Sequence, residues 1–336
     1  MSAPIVIAGG GIAGQAVCEA VRDRDPEVAI TLVCAEAAAP YDRVRLSEIL
    51  VSGEDPQTLQ LRPAEWYADH DVELLVGRRV TWVDTGRGVL GLDDLEEREY
   101  SQLVLATGSQ PLMPPIPGIE LEGVHPFRGP EDCEAIRAAA AGGAQRAAVI
   151  GGGLLGLEAA RGIAAQGCAV TVVHLVDRLM ERQLDAGASA LLTPALAGLD
   201  IDVELDHATQ QIIGPDHARG LRFTSGEELA ADLVVVSIGI RAETSLAREI
   251  GLVCDRGVIV DDAMRTSASN VLAVGECAQH RGIVYGLVAP IHDQARAAAA
   301  TLLGHDSAYL GSVMSAKLKV AGIDLVCAGD LSLIHI

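Results

Sequence analysis

One pattern occurs twice in this chain and constrains its fold more than any other feature. IVIAGGGIAGQAV at 5–17 and AAVIGGGLLGLEAA at 147–160 each read as a short apolar strand, a glycine turn and a helix. A further strand follows each, AITLVCAE at 29–36 and AVTVVHL at 169–175. A GxGxxG at the first turn of a βαβ unit permits a tight turn, close backbone approach to a pyrophosphate, and close packing of helix on strand. The helix start then turns unpaired N–H groups and a favourable dipole toward the phosphates. A single GxGxxG is weak evidence, since any glycine-rich turn can carry it. Two copies in full strand and helix context predict an α/β chain with two Rossmann-like domains, hence two dinucleotides.

The segments between and after the units fit that plan. VELLVGRRVTWVDTGRGVLGL (72–92) reads as short strands with turns, and SQLVLATGSQPLMPPIPG (101–118) as a strand entering a proline-rich crossing. DVELDHATQQIIGPDHARGLRFTSGEEL (202–229) resembles a small antiparallel meander, and ADLVVVSIGI (231–240) is a buried strand. NVLAVGECAQ (270–279) is another strand, and PIHDQARAAAATLLG (290–304) a helix with Pro290 in its first turn. PYDRVRLSE (40–48) is the hardest stretch: an aromatic, two arginines and two acids in an expected loop.

Composition narrows the partners. A formal net charge of −21 argues against nucleic acid and anionic membrane surfaces. No apolar run reaches the roughly 18 residues that suggest a membrane span, and no basic region precedes the first strand, so no secretory signal is expected. The seven cysteines (18, 34, 133, 168, 254, 277, 327) form no CxxC pair and no metal-ligand spacing. They read as inert thiols in a cytoplasmic protein, and no metal site is expected.

The order GGGIAG, ATGSQP, GGGLLGLE, a strand ending in IG, then TSxxxVxAVGE resembles the FAD- and NAD(P)-dependent pyridine nucleotide reductases over residues 1 to about 303. YDRVRLSE, LMERQLD, VGECA, VYGLVAP and SAKLKVAGIDL bring the resemblance nearest to the N-terminal flavoprotein portion of NAD(P)H-dependent nitrite reductase large subunits. The resemblance implies a discontinuous FAD domain (1–112 and 238–303), an inserted NAD(P)H domain (113–237), and the beginning of an α+β C-terminal interface domain (304–336). The closing LSLIHI departs from what the resemblance leads one to expect next.

It also implies site residues. Gly9, Gly11 and Gly14 would cradle the FAD pyrophosphate, with Glu36 on the adenosine ribose. Ala106, Thr107 and Gly108 would complete the FAD site together with Gly239, Gly275 and Glu276, while Ala289 and Pro290 start a helix aimed at the flavin. Gly151, Gly153 and Gly156 would repeat the cradle for NAD(P)H. His174 stands where an acid would select NADH, and Arg178 lies close enough in sequence to meet a 2′-phosphate, so the coenzyme preference stays open. Glu158 would lie near the nicotinamide. Glu48 occupies a position where relatives carry a lysine, and it either nears Glu158, with Arg43 or Arg45 intervening, or points to solvent. Ser47 stands where relatives offer cysteine, so the loop would contact flavin and phosphate with no redox chemistry of its own.

No protein side chain is then expected to be catalytic in its own right, the chemistry being flavin-centred. With no disulfide to reduce, electrons from NAD(P)H would leave through FAD to an iron–sulfur or sirohaem acceptor, which in nitrite reductases belongs to the same polypeptide. A stand-alone rubredoxin or ferredoxin reductase is the nearer alternative. A flavoprotein sensor or interaction module is an alternative of another class. A homodimer is compatible with the sequence, which fixes no oligomeric state.

Overall fold

The computed structural model describes residues 3–313, 315–320 and 323–328, which fall into two compact units. The first comprises Met1–Arg43, Gln57–Gln110 and Arg241–Ser312, the second Val44–Pro56, Pro111–Ile240 and Val313–Ile336.

In the first unit a five-stranded parallel sheet runs in the order Val271–Ala273, Gln102–Leu105, Ile5–Ala8, Ile30–Cys34, Val72–Val76. Ile5–Ala8 lies at its centre and all four residues are buried. That is why the strand reads as an unbroken apolar run rather than an alternation. The helices Ile12–Arg22 and Val288–Leu302 pack on one another, and both are rich in buried small residues, among them Ala13, Ala16 and Ala20 on one and Ala295, Ala298 and Ala299 on the other. Antiparallel strands Val80–Asp84, Val89–Leu92 and Glu97–Glu99 form a separate small sheet.

The second unit repeats the plan. Its parallel sheet runs Ile201–Glu204, Ala169–Val173, Arg146–Ile150, Leu233–Val236, Val124–Pro126, and the expected meander is the antiparallel set Thr209–Ile213, Gly220–Phe223, Glu228–Ala230. Strands Ser315–Val320 and Ile323–Ala328 pair antiparallel. The closing LSLIHI lies outside the described residues.

The stretch expected as a loop at 40–48 is more ordered than its polarity suggests. After a 3₁₀ turn at Arg43–Arg45 it becomes the helix Leu46–Ser52. Leu46, Ile49 and Leu50, at helical spacing, are buried within the second unit. Gly162 on the helix Leu154–Ala164 makes room: a Cβ there would lie 2.5 Å from Leu50 Cγ. The last carbonyls of Leu46–Ser52 are satisfied by side chains, Gln166 Nε2 donating to Leu50 O at 2.9 Å and Arg137 Nη1 to Ile49 O at 3.4 Å. Tertiary partners therefore hold a helix too short to persist alone. No helix among the described residues is long and apolar enough to cross a membrane.

Candidate functional site

Each glycine turn divides its work between packing and open approach. Gly9 has φ +130°, and a Cβ on it would lie 2.1 Å from Ala106 O, while one on Gly14 would lie 2.0 Å from Gly9 O. Those two positions exclude any side chain because backbone carbonyls occupy the space. At Gly11 a Cβ would meet nothing within 4 Å, so the bare backbone there faces open space in front of the helix Ile12–Arg22. That helix starts without a side-chain cap and without an acid in its first turn, leaving its N–H groups for an anion.

The second turn reproduces this arrangement. Gly151 has φ +121° with a Cβ position 2.1 Å from Ser237 O, Gly156 would strike Gly151 O at 2.0 Å, and Gly153 faces open space. The helix Leu154–Ala164 again starts uncapped, with no acid in the first turn. Both cradles fit a dinucleotide pyrophosphate.

Around the first turn, Glu36 follows the strand Ile30–Cys34 and is roughly half exposed. Tyr41 donates its hydroxyl to Glu36 Oε2 at 2.7 Å, Arg43 pairs with Oε1, and the Arg43 guanidinium lies 4.8 Å from the Tyr41 ring centre. Arg43 is thus the partner of Glu36, and Arg45 is the partner of Glu48, with Nη2 to Oε2 at 2.6 Å. This pairing holds the Glu48 carboxyl below the usual range, and Glu48, like Glu36, is roughly half exposed.

Ala106 supplies the carbonyl beneath Gly9. Thr107 Oγ1 donates to Glu243 O at 2.7 Å, and Gly108 takes φ +67°. Gly275, φ +82°, comes within 2.7 Å of Ala13 Cβ at its Cβ position and donates its N–H to Gln294 Oε1 at 2.8 Å. Ser109 Oγ then donates to Glu276 Oε2 at 2.7 Å. The first turn, the Thr107 turn and Glu276 therefore come together in one unit. Ala289 and Pro290 lie in the first turn of Val288–Leu302, which also begins without a side-chain cap or an early acid. Tyr41, Ser109 and Gln294 escaped sequence reasoning. Only Ser109, next to ATG, carried a local signal.

Within the second unit, Glu158 is largely buried and shares a hydrogen bond with Ser47. Burial raises its carboxyl to about 7, an effect that Ser47 and Arg161 oppose and Glu48 reinforces. Gly239 has φ +123° with open space at its Cβ position, and its carbonyl accepts from Leu112 N–H at 2.9 Å. His174 is buried, Nδ1 accepting from Gly152 N–H at 3.0 Å and Nε2 lying 3.1 Å from Glu181 Oε2. Arg178 Nη1 lies 3.1 Å from Asp177 Oδ1.

Cys18, Cys34, Cys133, Cys168 and Cys277 are buried free thiols, and Cys254 is free and partly exposed. Cys34 Sγ packs where a Gly10 side chain would stand, and burial pushes its thiol up to about 12. Cys277 is also raised by burial. Neither has the thiolate character of a redox-active thiol.

The comparisons with known proteins match this geometry. A family model described as pyridine nucleotide-disulphide oxidoreductase matches residues 3–300. The chain is 42% identical to nitrite reductase [NAD(P)H] of Bacillus subtilis, over 98% of this chain and 41% of that protein. It is 39% identical to the assimilatory nitrate reductase electron transfer subunit of the same organism, over 97% of this chain and 42% of that protein. Among solved structures, the ferredoxin reductase for the CYP199A2 system from Rhodopseudomonas palustris superposes with a TM-score of 0.91 at 31% identity, over 97% of this chain and 82% of that one. The chain spans about two fifths of the length of these two curated relatives. With two dinucleotide cradles in sequence-matched units, this chain belongs to the pyridine nucleotide-disulphide oxidoreductase family and is an FAD-dependent NAD(P)H oxidoreductase.

Proposed function

We propose that the chain is the electron-input part of a nitrite reductase, taking electrons from NAD(P)H and passing them to an iron–sulfur or sirohaem acceptor. The observation that carries this reading is the state of the thiols. The family's name refers to a disulphide, yet here Cys34 and Cys277 are buried free thiols raised by burial, the sequence has no CxxC pair, and Ser47 stands in the helix Leu46–Ser52. The electrons therefore need an acceptor other than a protein disulfide. The curated relatives carrying nitrite and nitrate reductase names, both much longer than this chain, support an acceptor of that pathway.

Each unit has its own task in this reading. The first is the FAD domain: Gly9, Gly11 and Gly14 hold the pyrophosphate, and Glu36, oriented by Tyr41 and Arg43, takes the ribose hydroxyls. Glu276, set by Ser109, bonds the ribityl chain, and the start of Val288–Leu302 directs its positive end toward the flavin ring. The second is the NAD(P)H domain, with Gly151, Gly153 and Gly156 on the pyrophosphate and Glu158 beside the nicotinamide. When bound, FAD supplies the conversion of a two-electron hydride donor into a source of single electrons. The chain's own residues position the two dinucleotides and keep thiols out of the chemistry. Free cysteines also support a reducing, cytoplasmic setting.

The similarity to a ferredoxin reductase supports a second reading, a reductase that serves a separate iron–sulfur carrier. Anaerobic mixing of the flavin-loaded protein with NADH and NADPH tests the core of both, because absence of flavin bleaching with either coenzyme refutes them. Adding a ferredoxin or rubredoxin then separates them: rapid, saturable carrier reduction supports the second reading, and slow, unsaturable reduction the first.

A further inference from the structure

The position where an acid would face the coenzyme ribose holds a histidine, and the structure supplies a carboxylate there from elsewhere. His174 ends the strand Ala169–Val173 with its ring turned onto the glycine turn. Gly152 N–H donates to Nδ1, so the ring proton sits on Nε2 and is donated to Glu181 Oε2 at 3.1 Å. Both ring nitrogens are thereby engaged, and His174 has no donor left for a phosphate.

Glu181 is held where it is by the chain before it. Leu179 and Met180 are buried, Met180 N–H donates to Gly152 O at 2.9 Å, and Ser189 Oγ donates to Leu179 O at 2.9 Å. Met180 sits at φ +52°, a left-handed conformation that a non-glycine residue keeps only when its surroundings fix it. Gln183 and Leu184 N–H groups close back on Met180 O at 2.8 and 2.9 Å. The Glu181 side chain, 32% exposed, uses Oε2 on His174, while Oε1 lies 4.0 Å from Arg182 Nε and keeps accepting capacity.

Each nearby arginine has a carboxylate neighbour. Arg178 is paired with the adjacent Asp177, and Arg182 is offset by Glu181. The adjacent strand end, tied on by His174 N–H to Glu204 O at 2.8 Å, adds Glu204 and Asp206, with His207 beside them.

We propose that Glu181, oriented by His174, is the coenzyme-specificity residue of this chain, accepting the adenosine ribose hydroxyls of NADH and repelling the 2′-phosphate of NADPH. The inference rests on the reading of the second unit as the NAD(P)H domain. A carboxylate gains hydrogen bonds from free ribose hydroxyls and repels a phosphate ester, so one group serves both selection and rejection.

The test is calorimetric binding of NAD⁺ and NADP⁺ to the flavin-loaded protein, in wild type, Glu181→Gln and Glu181→Asp, with thermal unfolding to confirm that each variant is folded. Wild type is expected to bind NAD⁺ more tightly. Glu181→Gln should narrow the NAD⁺ over NADP⁺ ratio by about ten- to a hundredfold, the range for losing one charge-assisted hydrogen bond. Glu181→Asp should retain part of the preference. A wild-type preference for NADP⁺, or a ratio unchanged in Glu181→Gln, overturns the assignment while leaving the oxidoreductase reading intact. Failure of the wild type to bind either coenzyme overturns both.

Discussion

Substituting Gly11 and Gly14 separately by alanine distinguishes a turn that merely packs from one that receives a ligand. At Gly11 the added methyl meets no protein atom within 4 Å, and the residue's φ of −89° suits any L-residue. The substitution should therefore cost the fold no more than about 1 kcal/mol, the order of a changed N-cap. The methyl would instead project toward the anion that the uncapped helix awaits. Displacing one charge-assisted hydrogen bond costs about 1.5–3 kcal/mol, or roughly ten- to a hundredfold in FAD affinity. At Gly14 the methyl would stand 2.0 Å from Gly9 O, so the turn itself must move. Overpacking of this kind costs about 1–3 kcal/mol, here at the upper end because a backbone carbonyl cannot rotate away. Thermal unfolding of the apoprotein together with FAD titration by flavin fluorescence reads both quantities. Gly11→Ala should lose FAD affinity with nearly unchanged apoprotein stability, and Gly14→Ala should lose both. A Gly11→Ala variant that binds FAD as well as wild type would refute the cradle argument.

Three further outcomes follow from the packing and charge of the described residues. Glu158 carries a carboxyl raised to about 7, so its protonated form is favoured in the fold and stability falls as pH rises from about 4.5 through 7. Glu158→Gln should remove that fall, by at most about 3 kcal/mol, in denaturant melts across this window; parallel curves would contradict the assignment. Asp262 is held down to about 2 by Arg281 and His280, so the stability it contributes is present above about pH 4 and lost as pH falls through 2. Asp262→Asn should flatten the acid limb of the stability curve. Leu50, fully buried against Gly162, should cost about 2–5 kcal/mol on truncation to alanine, measured by urea unfolding.

The sequence carried whatever depends on local spacing. Both glycine turns, their strands and the uncapped helix starts were legible because close approach and φ > 0 demand glycine at fixed offsets. What escaped depends on contacts distant in sequence. Arg43 and Arg45 could equally have served Glu48, and only the folded chain assigns one to Glu36 and the other to Glu48. The helix Leu46–Ser52, which overlaps the expected loop at 40–48, is hidden because polar residues surround three apolar positions whose partners lie on helices more than eighty residues later. Glu181 carries no local signal, because its placement depends on the left-handed Met180, which spacing does not reveal.

Whether electrons enter the flavin with no protein thiol taking them is read by an anaerobic reductive titration with NADH, monitored across the flavin and long-wavelength bands. The protein should take up the flavin's own electron pair and no more, with no thiolate-to-flavin charge-transfer band, unchanged when Cys34 and Cys277 are both replaced by alanine. Uptake of a second electron pair that disappears in the double variant would contradict this.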